Sequence, residues 1–414
     1  MRLRQAGTVA YIALVHGLIH TIEFTYAALL LRIADEFGAG LFVMGIVANA
    51  FAFTFGFSAL PSGVLVDRLG TQRVLFIAFS LAAVAALLVA TAPNIALLGV
   101  FLGLLGLAIG LYHPAGISFI AQATQQRGLA FGWHGFVGNL GIAVSPLLAI
   151  GVAETAGWRW AYVLLALLAL LVAVSLRLVR FPATEREAPM AVEPVDVPPP
   201  APPPSRPRGR ALLPLLLVYG VFVLNGFVYR GSLTFLPTHI EENVHLSWFG
   251  LDEAWLAGSL TTLALLGGAA GQLFGGELSE RYRLERLAVP LTFGLLPTLL
   301  LMGLTSGWPL VVFSAMFVFA NFSGQPIYTG LIADYSPQGA LGRSYGISFF
   351  AAFGIGSLAG TFSGFFADRW GTDAVFLSLA GFVVVTLTLA VAIWRLGERA
   401  TRPQHVDDVP IVGG

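Results

Sequence analysis

Apolar residues along this chain come in twelve long runs, separated by short polar segments. A run of about twenty apolar residues can cross the hydrocarbon core of a membrane, roughly 30 Å thick, as one α-helix. The pattern therefore predicts an all-α membrane protein with twelve transmembrane helices. We place the spans near residues 8–34, 42–66, 73–92, 95–121, 129–153, 158–180, 212–239, 253–278, 287–305, 309–333, 343–366 and 373–395.

Composition supports a membrane protein and excludes other classes. The mean hydropathy is +0.82, and charged residues make up 11% of the chain, against roughly 25% in soluble domains. The formal net charge is zero, which gives no reason to expect nucleic acid as a partner. The chain has no cysteine, so disulfides and cysteine metal sites are excluded.

The arginines predict which helix ends face the cytoplasm. All 22 basic residues are arginine. With a cytoplasmic N-terminus, eighteen of them fall in cytoplasmic segments, and only Arg32, Arg159, Arg230 and Arg369 fall elsewhere. An excess of arginine on the cytoplasmic side is the usual orientation signal of membrane proteins. We therefore predict a multi-pass protein of the inner (plasma) membrane with both termini in the cytoplasm.

A proline-rich segment divides the twelve spans into two similar halves. Residues 182–210 hold ten of the 23 prolines, which favours an extended cytoplasmic linker. We expect six-helix bundles at 1–181 and 211–396, and a cytoplasmic tail at 397–414. The run from Gly63 to Arg73 returns with the same spacing from Gly276 to Arg286. Parallel halves of this kind are a transporter plan, with the substrate site between them near the middle of the membrane.

Over nearly its whole length the chain resembles the major facilitator superfamily. The run from Gly63 to Arg73, after span 2, resembles the signature of that superfamily. The resemblance implies two pseudo-symmetric six-helix bundles that rock around a central site. It also implies that charges at the two copies of the motif form a gating latch between the bundles; the alternative is a solvated cluster that only sets topology. The candidate gating residues are Asp67, Arg68, Arg73, Glu280 and Arg281.

Spans 4 and 5 resemble the fosmidomycin-resistance branch of that superfamily. The resemblance lies in Tyr112-His113-Pro114, Arg127-Gly128-Leu129-Ala130, Gly138-Asn139-Leu140-Gly141 and Pro146-Leu147-Leu148-Ala149. It implies proton-driven export of a phosphonate-like compound. Ala115, Gly135 and His20 depart from the pattern of the branch, at positions where substrate or protons would be handled.

Span 5 also carries a row of small residues. Gly132, Gly141, Ser145 and Ala149 have a spacing that resembles the motif of facilitator antiporters, with Ser145 and Ala149 where glycine is usual. Small residues on one face let helices approach closely and seal a path while they rock. The resemblance to that motif therefore implies antiport.

Span 1 places three titratable residues on one helical face. His16, His20 and Glu23 fall within roughly 60° of one another at 100° per residue. Ionisable groups inside a membrane are costly and usually line a working path, so we predict that this trio carries the coupling proton. A hydrogen-bonded packing cluster is one alternative. A metal-ligand trio is another, because histidine and glutamate suit zinc or iron, although no fourth ligand is close in sequence.

Span 7 supplies the candidate anion site. Arg230 lies at the depth of Glu23 when the halves are aligned, and its guanidinium can hold a carboxylate or phosphonate through two hydrogen bonds. Tyr229 and Asn225 lie beside it in the sequence. The alternative for Arg230 is an internal ion pair with Glu23, and the two interpretations can coexist.

Further polar residues complete the predicted site. Asn321, Gln325 and Tyr328 share a face of span 10 and could orient a polar substrate, or bond between helices. We expect His113 and His134 to line the cavity. His239 and His245 fall near an external loop, where we expect them to be solvated.

Together these features predict a secondary active transporter. The chain has no lysine and hence no nucleotide loop of the Gly-x-x-x-x-Gly-Lys type, so ATP drive is not expected. No Ser-His pair has an enzyme setting, and no cofactor is expected. Our first hypothesis is proton-coupled export of a small organic anion or amphiphilic drug by alternating access, functional as a monomer. Proton-coupled uptake of a monocarboxylate is the alternative, followed by a non-transporting sensor or a metal-ion transporter.

Overall fold

The computed structural model describes residues 3–123, 127–178, 212–245, 252–337 and 341–401. Within these ranges the regular structure is helical throughout, without a strand. The predicted linker, 182–210, and most of the predicted tail lie outside the described residues. The helices are α1 (Leu3–Ala28), α2 (Leu30–Phe37), α3 (Leu41–Leu69), α4 (Thr71–Ala90), α5 (Ile95–Gly110), α6 (Tyr112–Ala123), α7 (Arg127–Ala156), α8 (Trp158–Leu178), α9 (Leu212–Asn243), α10 (Glu253–Arg281), α11 (Leu284–Met302), α12 (Gly307–Tyr335), α13 (Leu341–Phe349), α14 (Ala359–Trp370) and α15 (Asp373–Thr401), with a π-helical segment (Phe350–Ile355) and a 3-10 turn (Gly356–Leu358) between α13 and α14.

In the part of the chain that the structure describes, twelve helical spans are long and apolar enough to cross a membrane, which confirms the predicted all-α membrane fold. Helices α5 and α6 form one span, broken at Leu111. Pro114 lacks the N–H group that would bond the carbonyl of Gly110, so the helix is interrupted there. The first span ends at Ala28 rather than at the predicted residue 34, because the chain turns at Leu29 and starts the short helix α2.

The helices pack as two six-span bundles. Helices α1–α8 belong to the first bundle and α9–α15 to the second. The bundles meet where α1 contacts α9, α3 contacts α14, and α7 contacts α10. Around the outside, large apolar side chains such as Leu171 and Val384 are exposed, which suits a surface that faces lipid. The exact bounds of the two domains stay a prediction.

Glycines set how closely the helices approach. A Cβ atom added at Gly45 of α3 would collide with the carbonyl of Gly360 in α14, and one at Gly56 would collide with the backbone at Gly354. Backbone contact of this kind needs small residues, because lipid supplies no hydrophobic force between helices. The α3–α14 seam is therefore closed from the start of α3 to about its middle.

The bundles have two ends, one at each surface of the membrane, and each end is named here after an arginine that lies there. On the Arg32 side, α1 ends and α3 begins; on the Arg68 side, α3 ends and α4 begins. The π-helical segment lies in the middle of the eleventh span, in contact with α3 and α9. A local π-helix is rare and is frequently found at a functional site.

We predict that Gly141→Ala lowers the thermal midpoint of the purified protein. Gly141 of α7 packs on the backbone of Gly17 in α1, so an added methyl group must push the helices apart. Overpacking of this kind costs roughly 1–3 kcal/mol. Gly132→Ala on the same helix is the matched control, because no atom lies within 4 Å of its ideal Cβ position. Equal midpoints for the two variants would contradict the packing argument.

Candidate functional site

A buried ion pair joins the two bundles inside the membrane-spanning region. Oε1 of Glu23 on α1 lies 2.6 Å from Nη2 of Arg230 on α9. The two residues are only 5% and 6% exposed. Taking two charges out of water costs several kcal/mol per ion, so such a pair persists only with good geometry and further partners.

Histidines supply those partners on the first bundle. Nδ1 of His20 lies 2.5 Å from Oε2 of Glu23. An ionised carboxylate can only accept a hydrogen bond, so Nδ1 of His20 donates. Glu23 is therefore held by an imidazole at one oxygen and by a guanidinium at the other.

Three aromatic rings stack beside this pair. The rings of His16 and His134 lie 3.8 Å apart, centroid to centroid, and are nearly parallel; the Tyr112 ring lies 5.5 Å from that of His16. The Tyr112 hydroxyl donates to the carbonyl of Ile12 at 2.6 Å, so it accepts from Nε2 of His134 at 3.1 Å. The break between α5 and α6 presents Tyr112 and His113 in the first turn of α6.

Aromatic rings also surround the guanidinium of Arg230. Its Cζ lies 4.9 Å from the centroid of Phe353, 5.4 Å from that of Phe55 and 5.8 Å from that of Tyr229. A cation over such rings is stabilised by their quadrupole. Nε and Nη2 of Arg230 are buried and form no hydrogen bond within the described part of the chain, so the contact between Nη2 and Glu23 is an ion pair that is not aligned as a hydrogen bond. A cavity of about 20 Å³ lies beside Glu23 and Arg230, room for about one water molecule.

An arginine clasp closes the Arg32 side. Arg32 makes two hydrogen bonds of 3.0 Å each to the carboxylate of Glu241 on the second bundle and one of 2.8 Å to Glu154 on the first. Burial opposes its charge, but these carboxylates outweigh that effect and raise the pKa of Arg32. Asp368 adds a second link, because its Oδ1 accepts the N–H of Leu41 at 3.0 Å.

Four of the predicted gating residues on the Arg68 side form no described link between the bundles in this conformation. Arg68, Arg73 and Glu280 are exposed, and none forms an ion pair with another residue that the structure describes. Arg281 pairs with Glu277 one turn away on its own helix. The side chain of Asp67 lies outside the described residues. The latch therefore stays a prediction for another conformation.

The remaining predicted residues are spread across the second bundle. Asn225 is half-buried, and its Oδ1 has no partner among described residues. Asn321 is buried and Gln325 is exposed. The Tyr328 hydroxyl bonds to Oγ1 of Thr292 at 2.5 Å, between α11 and α12. The structure thus brings the histidines, Glu23 and Arg230 together, while Tyr328 packs inside its own bundle.

One expectation about exposed histidines was wrong. His239 is fully buried, with Nδ1 2.9 Å from Oγ1 of Thr372 and Nε2 3.0 Å from the carbonyl of Met302. The ninth helix continues to Asn243 and so keeps His239 inside the bundle. The side chain of His245, just past that helix, is 66% exposed, as expected.

Sequence reasoning missed the clasp and the aromatic wall. Arg32 had a signal, since it is one of four arginines outside the predicted cytoplasmic segments. Its partner Glu241 belongs to the acidic pair Glu241-Glu242, and nothing in that pair indicates a contact with Arg32. Phe55 and Phe353 had no signal, because phenylalanine is common throughout the spans.

Comparison with known proteins identifies relatives. The profile of the Major Facilitator Superfamily matches residues 12–360 and 249–410. The probable sulfoacetate transporter of Cupriavidus necator is 25% identical over 64% of this chain and 61% of its own length, so less than two thirds of that relative is matched. The glycerol-3-phosphate transporter of Bacillus subtilis is 24% identical over 88% of this chain and 86% of its own.

A solved structure has the same fold. It is a bacterial homolog of the human lysosomal transporter Spinster, in an inward-facing and unoccupied conformation. The TM-score is 0.79 at 13% identity, and the alignment covers 98% of this chain and 100% of that chain.

We predict that Arg32→Ala opens the Arg32 side. The change removes an interbundle pair worth about 1 kcal/mol, which shifts a two-state equilibrium about fivefold. The native chain lacks cysteine, so Ala27→Cys, beside the small cavity, gives one label site. A membrane-impermeant maleimide should react with this cysteine several-fold faster when Arg32→Ala is also present than when Arg32 is intact. Arg159→Ala is the control, because Arg159 pairs with Glu36 inside one bundle and lowers the pKa of Glu36 by hydrogen bonding. Equal acceleration in both would refute the clasp.

We also predict that Glu23→Gln destabilises the protein more than Arg230→Gln. The first change leaves a buried guanidinium that cannot lose its proton, whereas the second leaves a carboxylate that can be neutralised by taking one up. Losing one partner of a buried pair costs about 3–5 kcal/mol. The thermal midpoints of both variants and of the double variant measure the difference in stability between losing the carboxylate and losing the guanidinium. The reverse order would contradict the argument that the lone carboxylate is neutralised and the lone guanidinium is not.

Proposed function

Because this chain belongs to the major facilitator superfamily and is a secondary transporter, we propose that it carries a small organic anion coupled to protons. The observation that carries the proposal is the buried pair of Glu23 and Arg230 between the bundles, with His20 on the second carboxylate oxygen. Such groups are too costly to keep inside a membrane for packing alone.

Arg230 is the proposed anion anchor. It has an unpartnered buried Nε and belongs to α9, which contacts α1 across the bundle interface. A guanidinium presents its donors in a planar fork that matches carboxylate, sulfonate or phosphate oxygens. The relatives named for sulfoacetate and glycerol 3-phosphate carry such anions, which supports the same substrate class here. Asn225, Tyr229 and Asn321 are proposed to assist, with Gln325 and Tyr328 as weaker candidates.

Glu23 is the proposed proton carrier, with His16 and His20 as relays and His113 and His134 along the cavity. A proton on Glu23 ends its ion pair and frees Arg230 for the substrate. An anion on Arg230 in turn leaves Glu23 without its counter-ion, which favours protonation. Proton and anion then bind together, and mutual enhancement of this kind is the thermodynamics of symport. The geometry thus favours uptake down the proton gradient.

Export by antiport is the second candidate. The row of small residues in α7 packs directly against α1, as Gly141 does on Gly17, and such a seam lets two helices shift while staying sealed. Antiport requires that proton and substrate cannot be bound at the same time. A neutral or cationic amphiphile that competes with the proton for Glu23 would meet this requirement. The charge of the substrate therefore separates the two candidates.

The conformational cycle follows from the predicted orientation. With both termini cytoplasmic, the Arg32 side is external and this conformation is closed to the outside. In the opposite state we propose that the clasp at Arg32 opens. The charges at Asp67, Arg68, Arg73, Glu280 and Arg281 then close the cytoplasmic side, in a chain that works as a monomer.

Anion binding and proton coupling are tested separately. We expect sulfoacetate and glycerol 3-phosphate to raise the thermal midpoint of the purified protein, and uncharged glycerol not to. Arg230→Ala should weaken anion binding about tenfold or more, since hydrogen bonds to charged groups contribute about 1.5–3 kcal/mol. If the anions stabilised the wild type and Arg230→Ala to the same extent, Arg230 would not be part of the binding site.

In proteoliposomes loaded with a pH dye, an outward sulfoacetate gradient should carry protons out of wild-type vesicles. Glu23→Gln should abolish this proton movement while leaving anion exchange. Arg159→Ala, remote from the pair, should behave as wild type. Proton uptake during anion exit would indicate antiport instead, and unchanged proton movement in Glu23→Gln would reject the carrier role.

A further inference from the structure

Three imidazole rings converge beside the ion pair, inside the first bundle. One nitrogen from each of His16, His20 and His113 lies within 4.8 Å of a nitrogen from each of the others. All three residues are buried, at 6%, 9% and 8% exposure. We propose that these three histidines form a binding site for a divalent transition metal ion. The site goes beyond the proposed anion transport and does not rest on it; an ion bound there would take the place of the protons that His16 and His20 are proposed to relay.

Hydrogen bonds fix which nitrogens are free. Nδ1 of His16 lies 2.8 Å from the carbonyl oxygen of His134, and a carbonyl can only accept, so Nδ1 carries the proton. Nδ1 of His20 donates to Glu23 in the same way. In the neutral rings, the Nε2 atoms of both residues therefore keep a lone pair, which is the form that binds a metal.

Two of the candidate ligand atoms lack any other partner. Nε2 of His16 and Nε2 of His113 are buried and form no hydrogen bond with the described residues. A buried polar atom left unpaired costs about 1–3 kcal/mol. Two such atoms in one cluster indicate a ligand, and a metal ion would satisfy both at once.

The surroundings match the outer shell of known metal sites. A metal-binding histidine usually donates its other ring N–H to a carboxylate or a backbone carbonyl, which orients the ring and strengthens its lone pair. His20 donates to the Glu23 carboxylate and His16 to a carbonyl. Glu23 is therefore an outer partner rather than a direct ligand, and His113 replaces it in the trio considered from the sequence.

Geometry and ligand type select the metal. Nitrogens that share a tetrahedral ion at 2.0–2.1 Å lie about 3.3 Å apart, so three nitrogens within 4.8 Å of one another must move closer by at most about 1.5 Å when an ion binds. Three imidazoles suit Zn²⁺, Co²⁺, Ni²⁺ or Cu²⁺, whereas Mg²⁺ and Ca²⁺ require oxygen ligands. All three rings belong to one bundle, so the site keeps its shape while the bundles rock.

Cobalt provides a direct test, because the visible absorption of Co²⁺ changes when it exchanges its water ligands for a small number of protein ligands. With the full chain purified without a histidine tag, we expect saturable binding of one Co²⁺ per chain, displaced by Zn²⁺ and not by Mg²⁺. His113→Ala should weaken binding at least tenfold, and Glu23→Gln about 10–100-fold as an outer partner. His245→Ala is the matched control, since that side chain is exposed, and it should bind as wild type.

The metal experiment is independent of transport. Zn²⁺ should also raise the thermal midpoint of the wild type, and a chelator should reverse the rise, so the site can be assessed even if His113→Ala does not fold. Absence of saturable Co²⁺ binding, or equal loss in His245→Ala and His113→Ala, would overturn the proposal. Anion binding that depends on Arg230 would be unaffected by that outcome.

Discussion

The cost of placing charge in a membrane governs this structure. Glu23 and Arg230 come from different bundles, and neither could stay buried without the other or without a proton or ligand in its place. The pair therefore links the bundles only while both side chains are charged. Whatever changes the charge of one side chain changes the link between the bundles. Packing alone offers no such dependence, because apolar contacts between helices and with lipid are similar in strength.

The rest of the fold positions this pair. The proline break in the fourth span presents Tyr112 and His113 toward α1, and the π-helical segment of the eleventh span carries Phe353 over the guanidinium. Glycine contacts bring α3 and α14 together at the backbone level. Both irregular segments, the break at Leu111 and the π-helical segment, therefore carry residues that contact the charged cluster.

Periodicity and charge placement predicted much of this from the sequence. The spans follow from the length of the apolar runs, and the shared face of His16, His20 and Glu23 follows from helical geometry. Contacts between distant segments could not be obtained in that way. Arg32 and Glu241 are 209 residues apart, and no local pattern records their pairing. Tyr328 shares a helical face with Asn321, yet its hydroxyl bonds to Thr292 inside the second bundle.

The clasp at Arg32 has a further consequence for the setting in which the protein works. Its ion pairs are partly exposed, with side-chain exposures of 17% for Arg32 and 20% for Glu241, so dissolved salt can screen them. The screening length falls from about 10 Å at 0.1 M to about 3 Å at 1 M ionic strength. The central pair is shielded from the same ions by the helices around it. A higher salt concentration on the Arg32 side therefore weakens this partly buried clasp a little and leaves the central pair unchanged, so the link between the bundles at that end depends on external salt.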